Sequence, residues 1–439
     1  MRNDSMQRPV RGVKLPSLVF CVALLAVWLP AGGQAQVNSG SNGSDGAFNP
    51  ATNVVINMAD HPNGIYQYTS VNVSNGVTVT FIPNANNSPV TWLVQGDCTI
   101  AGNMSVSGGD TIRTVAGAQG GPGGWSGGNA ALSPVLLPGA GVGPGGGTVG
   151  TDPTYYGGNA SYATAGGWNT NLPSGDSYRH PQFPPGPMYG NIFTLPLLGG
   201  SGGSGGRDMG GGGGGGALLI AASGTLSVSG SILARGGNGA IQCWAANIGT
   251  YYDGTAGAGS GGAIRLVATT VSGGGTLDAN GGQAQFGTWN SGWNWGTYLN
   301  SAGNGRIRLD GLNITFNGPT TGVFTSGFQP IIVPQTNQIA GIVIQSIAGV
   351  AVSPSPSGVL TTPDAVIPAQ QGSPVPVVVH CSNLPMNTPI TVTVVPANGS
   401  AVSAVGYNNT GTQSASSATV LVAMPRGGGR IYAAVAAGS

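Results

Sequence analysis

Residues 257–283 repeat, with changes, a stretch that occurs earlier in the chain at residues 211–239. Each copy opens with Gly-Ala and alternating aliphatic residues, continues with a second short aliphatic run and closes with a Gly-Gly pair. The spacing between the first and the second run differs by one residue between the two copies. Partial copies at residues 98–109 and 305–311 match the second and the first half of the unit. A unit that repeats with strand-like alternation predicts that successive copies lie side by side and share one core.

The alternation within the unit assigns its residues to two sides of a strand. Ile264 and Leu266 in the first run, and Leu277 and Ala279 in the second, are predicted to face a stacked core. Arg265 lies on the opposite side and is predicted to face solvent, because an unpaired guanidinium is costly in an apolar interior. We therefore predict an all-β chain built as a parallel β-solenoid (β-helix) with long Gly-rich loop insertions; a β-sandwich of similar hairpins is the alternative.

The composition supports strands over helices and restricts the partners. The chain has 82 glycines, only 6% charged residues, no Glu and a single lysine, Lys14, so the straight-chain residues that fill exposed helix faces are scarce. After residue 35 the chain contains eleven aspartates and nine arginines. This slightly negative balance argues against nucleic acid as a partner, which needs a basic surface.

The first 35 residues are predicted to be a signal peptide. Arg2, Arg8, Arg11 and Lys14 precede an apolar run at residues 15–29, and small residues follow to Ala35. We expect a secreted or cell-surface protein with no stable membrane span after cleavage. Cys98, Cys243 and Cys381 then remain; three cysteines at scattered positions form neither a disulfide framework nor a thiolate metal motif.

The predicted organisation divides the mature chain into two domains. A glycine-rich β-solenoid covers residues 36–328, a linker covers residues 329–338, and an immunoglobulin-like β-sandwich covers residues 339–439, where short strand-like runs alternate with turns. Insertions follow the Gly-Gly pairs, so we expect them to leave one flank of the solenoid. The first, residues 110–209, is predicted to be irregular or partly mobile, and it lacks the strict three-residue glycine period of collagen.

The sequence offers no motif for catalysis. The closest pair of aspartates, Asp97 and Asp110, lies thirteen positions apart in the sequence, no calcium loop is present, and the G-x-S-x-G matches occur in Gly-rich runs with no following helix. We therefore predict no catalytic residues, no metal and no cofactor. The chain is expected not to be an enzyme.

Aromatic residues in the later insertions are the best binding candidates. Trp289, Trp293 and Trp295, with Tyr251 and Tyr252, are spaced by small polar residues and are suited to a platform for stacking sugars. The alternative is that these residues fold back as lids over the flank.

The chain resembles a group of glycine-rich secreted bacterial proteins. The likeness lies in residues 72–109, with their G-D-x-x-I-x-G step, in the G-G-A-I-x-L-x-A units, and in a terminal G-x-I-R-L, and it covers residues 44–316. The resemblance implies an exported, parallel β-helix-like protein and carries no catalytic residues to transfer.

These observations predict an exported, non-enzymatic structural or adhesion-type protein of the cell surface or extracellular matrix. Polysaccharide or other surface and matrix components are the expected partners. One alternative is a carbohydrate-binding protein that uses the aromatic loops. A second is a polysaccharide-degrading β-helix enzyme, in which aspartates from distant coils would meet.

Overall fold

The computed structural model describes residues 36–111, 115–131, 137–149, 157–168, 183–239, 241–244, 252–284, 300–327, 340–353, 356 and 362–435, with residues 241–244 and 252–255 described by their backbone. The residues from Gln36 onward form one compact unit. Almost all of its regular structure is β, as predicted; the one helix assigned in the described ranges is a single 3-10 turn at Met58–Asp60.

Nineteen strands are described in the first part of the unit, up to residue 327. In chain order they are β1 (Ala47–Phe48), β2 (Val54–Asn57), β3 (Ile65–Tyr68), β4 (Ser70–Val73), β5 (Thr78–Ile82), β6 (Val90–Val94), β7 (Cys98–Ile100), β8 (Asn103–Ser105), β9 (Ala217–Val228), β10 (Ser231–Leu233), β11 (Ile241–Trp244), β12 (Tyr252–Thr255), β13 (Ala263–Ser272), β14 (Thr276–Asp278), β15 (Gln283–Ala284), β16 (Asn300–Ser301), β17 (Arg306–Ile314), β18 (Thr320–Thr321) and β19 (Val323–Gly327).

Two parallel sheets contain most of these strands. One has nine strands: seven follow the order β1-β4-β7-β9-β13-β17-β19, while β6 also pairs with β9 and β3 pairs with β6. The other has six strands, in the order β18-β14-β10-β8-β5-β2. The chain passes between the two sheets at β4 to β5, β7 to β8, β9 to β10 and β13 to β14. β11 with β12, and β15 with β16, form separate antiparallel pairs.

The predicted alignment of the repeats is confirmed by the strand register. Ile264 pairs with Leu218 and with Ile307, and Ile232 pairs with Leu277 and with Met104. The pairing between copies is parallel, unlike that of the alternative hairpin arrangement. A shift in register between Ala268 and Thr270 accounts for the one-residue slip.

The apolar side of these strands forms the core between the two sheets. Ile264, Leu266, Leu277 and Ala279 are fully buried there, as predicted. Trp92, the largest fully buried side chain, packs against Tyr68 with ring centroids 5.3 Å apart.

Beyond one edge of the sheets, the Gly-rich segments form a second body, which we call the glycine array. It comprises residues 106–111, 115–131, 137–149, 157–162, 199–216, 234–239, 256–262, 279–284 and 300–305, whose extended chains bond to one another outside the regular sheets except at the pair β15 with β16. The hydrogen bonds between two neighbouring segments recur every third residue. That period is the repeat of a polyproline II-type helix, which makes no hydrogen bonds within itself.

Residues 211–216 lie at the centre of the array and bond to segments all around them. Successive backbone N–H groups donate to three different segments and then return to the first, at 2.7–3.0 Å. The acceptors of residues 211 to 216 are, in order, the carbonyl oxygens of Gly128, Gly257, Gly109, Trp125, Ser260 and Val106. The carbonyl oxygens of the same residues accept, in order, from the N–H groups of Ala118, Gly203, Gly237, Gly121, Gly200 and Ala263.

This packing explains why the glycines of the array are consecutive. A Cβ built on Gly214 would lie 2.0 Å from the carbonyl oxygen of Gly200, and one on Gly213 would lie 2.2 Å from that of Gln119. A segment with neighbours on every side excludes a side chain at every position, whereas collagen excludes one only at every third. The described parts of residues 110–209 contain no helix or multi-residue strand, in agreement with the predicted irregular backbone, but within the array they are largely buried and hydrogen-bonded to one another.

The last eight strands are antiparallel and form two sheets around a common core. They are β20 (Gly341–Ile347), β21 (Val350–Ala351), β22 (Val375–Ser382), β23 (Pro389–Pro396), β24 (Val402–Tyr407), β25 (Thr410–Thr412), β26 (Ala415–Val422) and β27 (Gly429–Val435). The sheet orders are β21-β20-β22-β26-β25 and β24-β23-β27. Val377, Val392 and Val420 are among the fully buried residues between them.

Candidate functional site

The outer side of the nine-stranded sheet carries a buried cluster of charges. Arg308 and Asp310 lie two residues apart on β17 and so point to the same side, and Arg265 on β13 pairs with Arg308 in the register. Asp310 accepts from Arg265 Nη2 at 3.1 Å and from Arg308 Nε at 2.8 Å. Burial lowers the pKa of Arg265, and the charge of Asp310 acts in the opposite direction.

The prediction that Arg265 faces solvent was wrong, since it is only 2% exposed. Other parts of the chain cover this side of the sheet: Val37 and Leu197 pack with Val267 in an apolar cluster, and Arg308 lies over the ring of Phe193 at 5.7 Å. A paired arginine can be buried where an unpaired one cannot, because Asp310 compensates part of the lost hydration.

The array joins the parallel sheets to the antiparallel ones. Asn398 Nδ2 donates to the carbonyl oxygen of Leu137 at 2.8 Å, and the Gly399 N–H donates to that of Pro138 at 3.1 Å. Val395 of β23 packs in an apolar cluster with array residues. The array therefore contacts both the parallel and the antiparallel sheets, and it holds the antiparallel sheets beside the edge of the parallel ones.

Three aromatic residues of the first insertion pack together on the array. Tyr189 lies between Trp125 and Tyr162, with ring centroids 6.1 and 4.5 Å away. The hydroxyl groups of Tyr162 and Tyr189 donate to the carbonyl oxygens of Leu198 and Gly199. Burial raises the pKa of both tyrosines well above the ordinary value. These rings serve packing rather than an open binding platform.

The outer side of the six-stranded sheet carries small polar side chains in rows. One row joins Thr78, Asn103, Ser231 and Thr276 through successive strand pairs. A second row joins Val55, Thr80, Ser105, Leu233, Asp278 and Thr321, so its polar side chains are interrupted by the apolar Val55 and Leu233. Neighbours within a row are spaced by the ~4.8 Å distance between strands. The alternation that located Met104 and Ile232 in the core could have located these rows as well.

Four described aspartates hold backbone groups of the fold. The carboxylates of Asp45, Asp97, Asp110 and Asp278 each accept a backbone N–H at 2.6–2.9 Å. Asp278 also pairs with Arg235 at 2.6 Å. Among the described side chains, no group of three His, Cys or Asp residues is placed to hold a metal ion.

Cys98 and Cys381 are free and buried in the two apolar cores. Burial raises the pKa of both thiols, which keeps them in the unreactive protonated form. The side chain of Cys243 lies outside the described residues.

The predicted aromatic site is not brought together by the described part of the chain. Trp289, Trp293, Trp295 and Tyr251 lie outside the described residues, and Tyr252 is described only by its backbone, at the start of β12. The features that the structure does describe are the buried charge cluster, the array and the polar rows on the outer side of the six-stranded sheet.

Comparisons with known proteins found no matching family model, no matching curated protein and no matching solved structure. Within the described ranges, no helix combines the length and the apolar character needed to cross a membrane.

Proposed function

We propose that this chain is an exported, non-enzymatic structural protein of adhesion type, located at the bacterial cell surface or in an extracellular matrix. In this proposal residues 36–328 form a β-solenoid with Gly-rich loop insertions. Residues 339–439 form an immunoglobulin-like sandwich that serves as a spacer or attachment module after the linker at residues 329–338.

The strand order supports the solenoid. Successive copies of the repeat occupy successive positions in both parallel sheets, and the chain crosses from one sheet to the other once per copy. Each copy buries its apolar side only by lying on its neighbours. The resemblance to glycine-rich secreted bacterial proteins supports the same architecture.

The observation that carries the functional proposal is the bonding of residues 211–216 to segments on every side. A body cross-linked in this way through its backbone opens locally only by breaking several hydrogen bonds at once, which makes it stiff. The array also contacts the antiparallel sheets, so the stiffness extends to the predicted attachment module. The structural use of the described carboxylates is consistent with a mechanical rather than a catalytic role.

The experiment is cell fractionation combined with an attachment assay in the native host. We expect the wild-type protein in the surface or extracellular fraction, and we expect the double variant Leu24→Arg/Leu25→Arg to stay inside the cell, because charges interrupt the apolar run of a signal peptide. A deletion strain should attach less to surfaces and regain attachment with the wild-type gene but not with the double variant. Native protein found mainly in the cytoplasm, or unchanged attachment in the deletion strain, would contradict the proposal.

A further inference from the structure

A groove of about 230 Å³ lies where β5 and β8 leave the six-stranded sheet and meet the array. Thr80 and Phe81 of β5 line one side, Ser105 and Ser107 line the next, and Gln119 and Pro122 of the array close the other. It is smaller than the ~300–1,000 Å³ of sites for drug-sized ligands. The groove therefore suits a ligand, or one unit of a polymer, about the size of a single ring.

The lining combines neutral polar groups with apolar surface. Thr80, Ser105 and Ser107 carry hydroxyl groups, which both donate and accept hydrogen bonds, and the exposed side-chain amide of Gln119 does the same. Phe81 and Pro83 are half-buried; Phe81 packs on the core, with its ring centroid 6.1 Å from that of Trp92, and the remaining surface of these two residues offers apolar contact. A sugar ring requires this combination, since its hydroxyls need hydrogen-bond partners and its C–H face packs on apolar groups.

The charges near the groove favour a neutral ligand. None of the residues that line it is charged. Arg235, whose backbone N–H donates to Ser107 Oγ at 3.1 Å, has its guanidinium paired with Asp278 at 2.6 Å. An acidic polysaccharide would require a positive surface to attract it. A neutral one requires only hydroxyl and amide groups.

The polar rows continue from the groove across the sheet. Thr80 and Ser105 belong to both the groove and the second row, and the first row, from Thr78 to Thr276, runs beside them. A polymer with one unit in the groove therefore has further hydrogen-bonding partners along its length.

We propose that this groove binds a sugar unit of a neutral polysaccharide. The site is distinct from the predicted aromatic loops, and it deepens the proposed function, on which it rests, by naming the ligand class of the adhesive surface.

The test is affinity electrophoresis of the purified mature chain in native gels that contain hydroxyethyl cellulose, laminarin or galactomannan, with alginate as the acidic control. We expect at least one neutral polymer, and not alginate, to slow the wild-type protein. Thr80→Trp should fill the groove and weaken binding at least tenfold. Gln119→Ala removes an exposed amide and should weaken it about fivefold, the effect of one hydrogen bond.

The matched control is Thr419→Trp, which places the same ring at an exposed threonine of β26 in the antiparallel sheets, outside the groove lining and outside both rows. It should bind like the wild type, with equal melting temperatures for the two tryptophan variants. Four results would overturn the inference: no retardation by any of the three neutral polymers, retardation by alginate alone, wild-type binding by Thr80→Trp, or equal loss in both tryptophan variants.

Fractionation of cells that express Thr80→Trp separates this inference from the proposed function. Surface location together with unchanged polysaccharide binding refutes the groove alone. Cytoplasmic location of the wild type refutes the proposed function, whatever the groove binds.

Discussion

The apolar core and the glycine array pack extended chains in opposite ways. In the core, side chains such as Ile264 and Leu277 fill the space between two sheets and are fully buried. In the array, the segments approach until a Cβ on Gly214 would lie only 2.0 Å from a neighbouring oxygen. The core is thus held by apolar burial, and the array by hydrogen bonds between backbones.

This difference predicts different tolerance to substitution. A core accepts apolar residues of similar volume, because neighbouring side chains can repack. The array has no side chains at its centre, so an added atom meets backbone that cannot rotate away. Its glycines are also costly to order, since glycine loses the most conformational freedom on folding. Many simultaneous hydrogen bonds offset that cost.

The largest expected effect is that of Gly214→Val at the centre of the array. The added carbons would overlap the backbone of residues 200 and 201, so we expect a loss of more than about 5 kcal/mol in the free energy of unfolding. The measurement is urea denaturation followed by circular dichroism, with soluble yield recorded in parallel.

Two controls make the comparison with the core direct. Leu266→Met changes the shape of a fully buried core residue at similar volume and should cost less than about 1.5 kcal/mol. Gly372→Val adds the same atoms as Gly214→Val at a glycine with no atom within 4 Å of the added Cβ, and should have little effect. If Gly214→Val were as mild as Gly372→Val, the packing of the array would be refuted.

The next largest effect is expected on the outer side of β13 and β17, which carries buried charged side chains, whereas the inner side of these strands is apolar. Asp310→Asn removes the carboxylate that pairs with Arg265 and Arg308, and leaves two buried guanidinium groups without it. We expect a loss of about 3–5 kcal/mol in the free energy of unfolding. Asp208→Asn is the control, because Asp208 is 45% exposed and lies 3.6 Å from Arg207, and such surface pairs contribute at most about 1 kcal/mol. Equal losses in both variants would show that burial of the Asp310 cluster does not matter.

Local alternation was enough to predict much of the β structure. The repeat predicted the register of β13 with β9 and β17. Strands β3 and β4 are separated by a single residue, yet β3 pairs with β6 and β4 pairs with β7. Periodicity shows which side of a strand is apolar, but it does not show where the strand changes partner.

The array and the buried charges could not be predicted in the same way. Residues 210–216 carry no side-chain pattern, and their order comes from contacts with segments as distant as Gly109 and Gly257. For Arg265, one signal was present: β9 reads as apolar on both sides, which is typical of a strand covered on both faces. The spacing of Arg308 and Asp310 also places opposite charges on one side of β17. The alternation could have predicted the polar rows, whereas the groove required the position of residues 119–122.

The smallest expected effect is that of removing a core hydroxyl that lacks a hydrogen-bond partner in the described part of the chain, whereas the backbone groups of residues 211–216 in the array are all paired. Tyr66 is 4% exposed, and its hydroxyl has no hydrogen-bond partner among the described residues. Tyr66→Phe should therefore change the free energy of unfolding by less than about 1 kcal/mol at neutral pH, in the stabilising direction, because it removes an unpaired polar atom and keeps the ring.

The same substitution has a larger effect in alkali. Burial, reinforced by the charges of Asp60 and Asp45, raises the pKa of Tyr66 from 10.0 to about 12, so the folded state favours the neutral phenol. Its contribution to stability is fully present below pH 10 and is lost as the pH rises from 10 to about 12. Urea denaturation across that interval should show a smaller loss of stability in Tyr66→Phe than in the wild type, with some loss remaining because burial also raises the pKa of Tyr68. Tyr407→Phe, at a residue 54% exposed, is the control and should follow the wild-type curve. If the stability of Tyr66→Phe falls with pH as steeply as that of the wild type, the hydroxyl of Tyr66 is hydrated in solution. The core would then contain no unpaired hydroxyl at this position, and it would not differ from the array in hydrogen-bond satisfaction there.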